Sequence, residues 1–182
     1  RITFGSPSYN QFNLHLTKTK KRDYVSKGFV IPRHIFDNFL FEKVKDVTDT
    51  KEGFKVKDLV YKNGKIVGVK GINNKGENEI IHSSVVVGAD GANSIIARKT
   101  GLYKMDMKNT SIAIRCYYSN VKGLTDQIEL HYLNEVNPGY LWLFPIGNNK
   151  ANVGIGLSKN HAKNDSRTLS QILDQVIKSG PF

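Results

Sequence analysis

Hydrophobic and polar residues alternate along most of the chain, which is the pattern of half-buried β-strands. Near the start, the apolar side chains of one such segment stand at every second position, namely Phe12, Leu14 and Leu16. The stretch 53–81 contains Asn63-Gly64, a strong signal for a tight hairpin, between alternating segments. The stretch 109–157 alternates again, with turn residues between its segments. We therefore predict strands within 2–31, a β-meander over 53–81 and a second group of strands over 109–157.

Two segments have the period of a helix instead. Over 33–46, apolar residues recur every three or four positions and form one broad face. The segment 169–177 follows the same template, with Asp165 and Ser166 as candidate N-caps and Gly180 as a typical stop. We predict a helix over each segment, and we expect the second helix to serve packing only.

Residues 85–101 combine three signals in a row. Val85–Val87 has the composition of a buried strand, the turn that follows contains Asp90 and Gly91, and a helix is predicted from Asn93 to a stop at Gly101. A strand, a glycine-containing turn and a helix together can present backbone N–H groups and one carboxylate to a nucleotide. The simpler interpretation is a turn whose aspartate caps the helix. The local pattern does not decide between the two.

The segment 140–145 places large aromatic residues at alternate positions. Because strand side chains alternate between the two faces of a sheet, Tyr140, Trp142 and Phe144 are predicted to share one face, and Pro145 to end the strand. Packing against a core is the usual explanation of such a row. Tyrosine and tryptophan also carry polar edges that need partners when buried, and they line cavities for flat or apolar ligands.

Arg33 is predicted at the beginning of the first helix, directly after Pro32. A helix N-terminus attracts anions, and a free arginine beside it strengthens that attraction. The alternative is an ordinary exposed arginine. Asp37, in the first turn, is most simply a cap or a partner of the helix dipole.

The net charge of +11 is compatible with anionic partners of several kinds. The dense basic run, Lys18 to Arg22, follows a strand pattern and is interpreted as a solvated hairpin tip. Because no helix-turn-helix, zinc-finger or aromatic RNA-binding signature accompanies it, we predict no nucleic-acid partner. The single cysteine, Cys116, excludes an internal disulfide and fits a reducing compartment.

The chemistry of metals and of nucleophilic catalysis finds little support in the sequence. The five histidines are widely dispersed, so we predict no metal site, and the sequence identifies no catalytic residue. No apolar stretch is long enough to span a membrane. The chain begins Arg-Ile-Thr-Phe, without a methionine, so we expect it to be a piece of a longer protein.

Taken together, three segments resemble the geranylgeranyl reductase family of flavoproteins with the p-hydroxybenzoate hydroxylase fold. Arg33 to Leu40 resembles that family's Arg-x-x-Phe-Asp-x-x-Leu helix entry. Val85 to Arg98 resembles its Gly-Ala-Asp-Gly-x-x-Ser-x-x-Arg motif, and Gly139 to Gly156 resembles its Tyr-x-Trp-x-Phe-Pro motif with the later Asn-Val-Gly-Ile-Gly. The family's amino-terminal GxGxxG unit and its later Gly-Asp segment have no counterpart, so the resemblance covers the central part of the family.

The resemblance implies a mixed α+β and α/β fold and an FAD cofactor, with NAD(P)H as a candidate reductant. The implied FAD contacts are Arg33, Asp90 and Gly91. The implied wall of the cavity for an isoprenoid or other hydrophobic substrate is formed by Tyr140, Trp142, Phe144 and Pro145. The implied reaction is reduction of isoprenoid C=C bonds by hydride from reduced flavin, in the cytoplasm with peripheral membrane contact, and we expect the chain to be inactive by itself.

The same resemblance implies two domains. Residues 32–103 would be the central part of the FAD-binding domain, and 1–31 with 104–182 would form an antiparallel substrate-binding sheet. A flavin-dependent aromatic hydroxylase or halogenase of the same fold is the alternative enzyme. A non-catalytic, β-rich module that binds a lipid or a protein partner is the alternative of another class.

Overall fold

The computed structural model describes residues 2–8, 10–14, 28–106 and 108–180. The chain divides into two compact units. The first unit comprises Arg1–Asp37 and Asp106–Phe182, and the second comprises Asn38–Met105. The basic run Lys18 to Arg22 and Leu16 of the predicted first strand lie outside the described residues.

Nine strands and four α-helices are present in the described part of the chain. The strands are β1 Ile2–Gly5, β2 Gln11–Leu14, β3 Lys55–Lys62, β4 Lys65–Ile72, β5 Asn78–His82, β6 Ser111–Tyr118, β7 Ile128–His131, β8 Gly139–Pro145 and β9 Ala151–Ser158. The helices are α1 Arg33–Lys45, α2 Ile95–Lys99, α3 Lys159–Asn164 and α4 Leu169–Ser179, with a 3-10 turn at Asn134–Val136. Of the helices described, none is long and apolar enough to cross a lipid bilayer.

The first unit is built on a six-stranded sheet in the order β2-β1-β7-β8-β9-β6. Its neighbouring strands are antiparallel with one exception, because β1 and β7 run parallel, with Ile2 opposite Ile128. A parallel pair needs a long crossover connection, and the chain between β1 and β7 includes the whole second unit. The sheet predicted as antiparallel is therefore mixed at this one position.

The two faces of this sheet have different environments. One face carries the core of the unit, in which the most buried side chains include Leu141, Ile155 and Leu157 from the strands. Ile172, Leu173 and Val176 of α4 join the same cluster. The side chains between these positions point to the opposite face, which we call the open face. There, residues from all six strands form one cross-strand row: Phe12, Phe4, Leu130, Trp142, Gly154 and Arg115.

Helix α4 packs as its periodicity predicts, but it begins with a different cap. The side chain of Thr168 accepts a hydrogen bond from the backbone N–H of Gln171, and the Gln171 side chain accepts one from the backbone N–H of Thr168. This reciprocal arrangement is a capping box, in which the side chain three positions after the cap accepts a hydrogen bond from the backbone N–H of the cap residue. Asp165 instead pairs with Arg167, at 2.7 Å from Nη2. The prediction of Asp165 or Ser166 as the cap was wrong, because Thr168 is followed three positions later by Gln171, which completes the box, while Asp165 is the C-cap of a short additional helix, α3.

The second unit contains the predicted meander, a three-stranded antiparallel sheet in the order β3-β4-β5. Its first turn is Asn63-Gly64, where both residues have positive φ, at 50° and 75°. That is the geometry of the tight hairpin turn that the dipeptide favours. The hairpin prediction is confirmed.

The prediction of a buried strand at Val85–Val87 was wrong. Val85 and Val87 are 72% and 83% exposed, and the segment belongs to neither sheet. Its first residue bonds locally, since the Ser83 hydroxyl donates to the Val85 carbonyl at 2.6 Å. A strand exists only with a neighbour, and within the described part of the chain no segment pairs with these valines.

Two other apolar surfaces are more exposed than their patterns predict. Helix α1 extends over the predicted range, but its apolar face contains no buried residue. In β2, the apolar positions Phe12 and Leu14 are 62% and 50% exposed, although the Phe12 ring stacks on Phe4 at a centroid distance of 5.0 Å. Periodicity thus identified the elements correctly, but it could not establish that a covering layer is present.

Candidate functional site

The aromatic row of β8 lies on the open face of the sheet. Leu141 and Leu143, between the aromatic positions, point into the core, so Tyr140, Trp142 and Phe144 point to the opposite side. Neighbouring rings are tilted against one another, with centroids 6.1 Å and 6.3 Å apart. The row is therefore not a layer of core packing, and the three rings remain only partly buried.

A fourth aromatic side chain, which the sequence analysis did not identify, extends this row. Tyr132 follows β7 and its ring centroid lies 6.0 Å from that of Tyr140. Its signal in the sequence is its phase, because Tyr132 alternates with the buried His131 and Leu133. Recognising it required knowledge that β7 and β8 are neighbours, which alternation by itself does not give.

The central ring of the row is held by two features of the neighbouring strand β9. The indole Nε1–H of Trp142 donates to Oδ1 of Asn152 at 3.2 Å, which satisfies the polar edge of the ring. Gly154 lies directly opposite Trp142, and a Cβ built on Gly154 would stand 2.4 Å from Cζ2 of the indole. The absence of a side chain at Gly154 is what allows the indole to lie against the sheet.

A cavity of about 780 Å³ lies at the Phe144 end of the row, within the first unit. Arg33, Phe144 and Pro145 all line it. Most of its other walls are apolar side chains and turn residues, among them Ile2, Phe29, Ile31, Ile128, Asn148 and Asn152. The structure thus brings one residue predicted to contact the cofactor together with two residues predicted to contact the substrate.

A second, smaller groove of about 440 Å³ lies at the other end of the row. Tyr140 and Trp142 form one side of it, and Ala113 of β6 and Gly156 of β9 form the other. Tyr140 is opposite Gly156, and Gly156 is opposite Ala113, so the smallest side chains of the sheet stand beside two of its largest. The groove therefore lies where small residues of β6 and β9 stand beside large aromatic side chains of β8.

Arg33 begins helix α1, as predicted, but its side chain is engaged. Its Nε donates to Oδ1 of Asp37 at 2.8 Å, and its backbone N–H donates to the Tyr117 hydroxyl at 3.4 Å. The hydrogen bond with Asp37 raises the pKa of Arg33 and lowers the pKa of the Asp37 carboxyl. Asp37 is therefore an ion-pair partner rather than a cap. The Arg115 guanidinium lies 4.9 Å from the centroid of the Tyr117 ring and adds a second cation to this edge of the open face.

Asp90, in the second unit, acts as a local cap. One carboxylate oxygen accepts the Ser94 hydroxyl at 2.5 Å, and the other accepts the backbone N–H of Ile95 at 2.6 Å. These bonds, the Ser94 contact first, lower the pKa of the Asp90 carboxyl. Helix α2 has only five residues and its first N–H groups are already bonded, so its N-terminus is not by itself an anion site. The simpler interpretation of this turn is thus present in the structure.

Two groups of this turn nevertheless remain accessible. A carboxylate offers about four lone-pair positions, so the exposed Asp90 retains acceptor capacity for ribose hydroxyls. Gly91 has φ +79°, and apart from its chain neighbours no atom of the described residues lies within 4 Å of the position that its Cβ would occupy, so the backbone is open to a ligand. A groove of about 390 Å³ borders Asp90, with walls formed by Val85–Val87 and strands of the meander. The carboxylate acceptor and the open backbone fit the ribose part of FAD.

The structure contains no arrangement that favours metal chemistry among the described residues. There, no group of three or more His, Cys, Asp or Glu side chains could hold a metal ion. His131 is buried and its Nε2 lies 2.8 Å from Oε2 of Glu129, on the core side of the sheet. Cys116 is exposed and is not disulfide-bonded.

Comparison with known proteins agrees with this geometry. Residues 109–181, which include the aromatic row and both strands beside it, match the family described as the geranylgeranyl reductase catalytic domain. Digeranylgeranylglycerophospholipid reductase 2 of Methanococcoides burtonii is 32% identical over 158 residues, which are 85% of this chain and 38% of that protein. The digeranylgeranylglycerophospholipid reductase of Thermoplasma acidophilum is also 32% identical over 158 residues, or 85% of this chain and 39% of that protein.

Solved structures agree with the fold. A geranylgeranyl bacteriochlorophyll reductase-like protein from Thermoplasma acidophilum superposes with a TM-score of 0.79 at 28% identity and covers 98% of this chain and 45% of its own. The myxobacterial chondrochloren halogenase, an FAD-dependent halogenase, superposes with a TM-score of 0.70 at 20% identity, covering 97% of this chain and 41% of its own. That second likeness concerns the fold alone.

The fold is therefore shared with a geranylgeranyl bacteriochlorophyll reductase-like protein and with an FAD-dependent halogenase. Within that fold, residues 109–181 match the geranylgeranyl reductase catalytic domain, and the chain is similar to curated digeranylgeranylglycerophospholipid reductases. It spans about two fifths of the length of the curated relatives that it matches.

Proposed function

We propose that this chain is the central part of an FAD-dependent oxidoreductase that reduces C=C bonds in the isoprenoid chains of a lipid. The observation that carries the proposal is the row Tyr140, Trp142 and Phe144 on the open face of the sheet, between two cavities. The row lies within the residues that match the geranylgeranyl reductase catalytic domain. Apolar rings on an uncovered face fit a long apolar chain.

In this proposal the first unit holds the substrate. Phe144 and Pro145 contact the isoprenoid chain of the substrate in the larger cavity, and Tyr140 and Trp142 contact it in the smaller groove. Covering these rings with an apolar chain removes water from the face, at about 25 cal/mol of stabilisation per Å² of apolar surface buried. We propose that residues 1–31 and 104–182 form the substrate part, and that 32–103 belong to the cofactor part.

FAD supplies the hydride when it is bound, and NAD(P)H is the candidate source of its electrons. Asp90 and Gly91 would hold the nucleotide portion, since one offers a carboxylate acceptor and the other an open backbone. Arg33 lines the same cavity as Phe144, so it would contact the cofactor beside the isoprenoid chain to be reduced. Hydride transfer requires that the two reactants share one cavity.

We also propose a cytoplasmic protein with peripheral contact to a membrane. Phe29 is 82% exposed and lines the larger cavity, and the chain carries a net charge of +11. Apolar side chains at a lipid-binding cavity, together with positive charge, favour contact with anionic lipid headgroups. Co-sedimentation of the full-length protein with anionic vesicles but not with zwitterionic vesicles supports this contact; equal partition between the two contradicts it.

Reduction in the absence of oxygen tests the proposed reaction directly. The full-length protein should be yellow, with flavin absorbance, and with a reductant it should saturate a geranylgeranyl lipid anaerobically. A hydroxylase or halogenase of this fold needs oxygen and gives no saturated product under these conditions. A colourless, folded full-length protein would favour the non-catalytic binding module instead.

The role proposed for Asp90 has its own test. Replacement of Asp90 by Ala should lower flavin occupancy, and replacement by Asn should lower it less, because Asn retains one acceptor oxygen. Ser94→Ala serves as the control, since it removes a bond to Asp90 without removing the carboxylate. Unchanged occupancy in Asp90→Ala would restrict Asp90 to its capping role.

A further inference from the structure

Trp142 is the one tryptophan of the chain, and its indole borders the smaller groove. The side chain that accepts its N–H, Asn152, lines the larger cavity. The hydrogen bond of 3.2 Å between them therefore joins the walls of the two cavities. Because an indole N–H can only donate, the Asn152 amide must present its oxygen to the ring. The NH₂ group of the same amide, which is a donor, does not take part in this bond.

The position of the indole depends on this bond. Gly154, opposite Trp142, leaves space beneath the ring, where an added Cβ would stand 2.4 Å from the indole. The missing side chain allows the ring to lie flat, but it does not choose the rotation of the ring about χ2, which is a broad torsion. The Asn152 oxygen does choose it, since only one orientation of the ring points Nε1 at that oxygen.

We propose that Asn152 is a positioning residue, whose amide oxygen fixes the plane of the Trp142 indole and thereby the shape of the wall that contacts the isoprenoid chain. The identity of the bound substrate in this inference rests on the proposed function, whereas the bond between Trp142 and Asn152 is observed independently of it. Without the bond, the indole can adopt other orientations, and each of these narrows one cavity while it enlarges the other. Affinity for the lipid then falls, because the bound arrangement is only one among several.

The test compares Asn152→Leu, which is close in size and has no acceptor, with Asn152→Asp, which retains one. Asn164→Leu is the matched control, since Asn164 is an exposed asparagine of α3 and is not part of the lining of either cavity. The full-length protein is labelled with ¹⁵N-tryptophan, and the Trp142 indole resonance is identified by its loss in Trp142→Phe. The dissociation constant for geranylgeranyl diphosphate is measured on the same samples.

In Asn152→Leu we expect the indole proton to move upfield and exchange faster with water, and the dissociation constant to rise about 2- to 10-fold, the range for one lost neutral hydrogen bond. Asn152→Asp retains an acceptor and should keep the indole resonance near its parent position, and Asn164→Leu should change neither value. In the Trp142→Phe background, Asn152→Leu should have no further effect on affinity. If Asn152→Leu is poorly folded, Asn152→Ala, which also has no side-chain acceptor, replaces it in both backgrounds.

Two results would overturn the proposal. One is an indole resonance in Asn152→Leu that is the same as in the parent protein. The other is an affinity loss in Asn152→Leu that persists in the Trp142→Phe background, since it would not pass through the ring. A parent protein that binds no geranylgeranyl diphosphate contradicts the proposed function, and the indole resonance then decides separately whether Asn152 positions Trp142.

Discussion

Glycine residues of β9 show how a single position decides what the open face can hold. Gly154 and Gly156 both face the aromatic row, one opposite Trp142 and the other opposite Tyr140. A Cβ on Gly154 would stand 2.4 Å from both the Trp142 ring and the Ile114 carbonyl oxygen. A Cβ on Gly156 would make ordinary contacts, the nearest at 3.6 Å from the indole.

Replacement of these two glycines should therefore have opposite effects on stability. Gly154→Ala forces the indole and β6 to shift and should lower the free energy of unfolding by about 1–3 kcal/mol. Gly156→Ala reduces the conformational freedom of the unfolded chain and should leave stability unchanged or raise it by up to about 1 kcal/mol. Urea unfolding of both variants measures the difference, and similar losses in the two would contradict the proposed contact geometry.

Asp165 is a single residue whose protonation should lower the stability of the fold in acid. Its bonds to Arg167, from the side chain first and the backbone N–H second, lower the pKa of the carboxyl to about 2 from an ordinary 3.8. Because the folded pKa lies below the unfolded one, the stabilisation is complete above about pH 4 and disappears as the pH falls from about 4 to about 2. The loss of unfolding free energy over that range should be smaller in Asp165→Asn than in the parent protein.

The partner residue provides the control for this pH dependence. Arg167→Gln should flatten the same part of the pH profile, since the lowered pKa depends on the guanidinium. An unchanged profile in both variants would mean that other carboxyls account for the acid sensitivity.

At the scale of elements, helix α4 shows how a correct period can accompany a wrong boundary. Its apolar positions face the core as the template predicts, and its most buried residues are Ile172, Leu173 and Val176. The cap lies at Thr168, however, because only Thr168 has a glutamine three positions later that can complete the box.

Capping of α4 gives a matched pair of substitutions. Thr168→Ala removes the acceptor for the Gln171 N–H and should lower the free energy of unfolding by about 1 kcal/mol. Ser166→Ala, the cap that the sequence suggested, should change it by less than about 0.5 kcal/mol. Thermal unfolding of the two variants distinguishes them, and a larger effect at Ser166 would restore the original prediction.

At the scale of the whole molecule, one face of strand β8 belongs to the core and the other belongs to the open face. Leu141 is 1% exposed in the core, and its neighbour Tyr140 is 40% exposed on the open face. Leu141→Ala should lower the free energy of unfolding by about 2–5 kcal/mol, the range for truncation of a buried leucine. Tyr140→Ala should lower it by only about 1 kcal/mol, because it loses ring contacts with Tyr132 and Trp142 rather than core packing.

The same two variants should separate in binding. Tyr140→Ala should weaken the binding of a geranylgeranyl lipid by the full-length protein, and Leu141→Ala should leave it nearly unchanged at temperatures where the variant is folded. Equal loss of binding in both would mean that the aromatic row acts through stability and not through contact.

Several features of this protein were determined by its sequence alone. Alternation placed the strands, the three- and four-residue period placed helices α1 and α4, and Asn63-Gly64 placed a hairpin, because each depends on residues close together in the chain. The aromatic row was assigned to one face for the same reason. Only the tertiary structure decided that this face is the open one, that Asn152 and Tyr132 join it, and that Val85–Val87 has no strand neighbour in the described part of the chain. Those outcomes depend on which segments meet across the sheet, and local periodicity carries no information about partners distant in sequence.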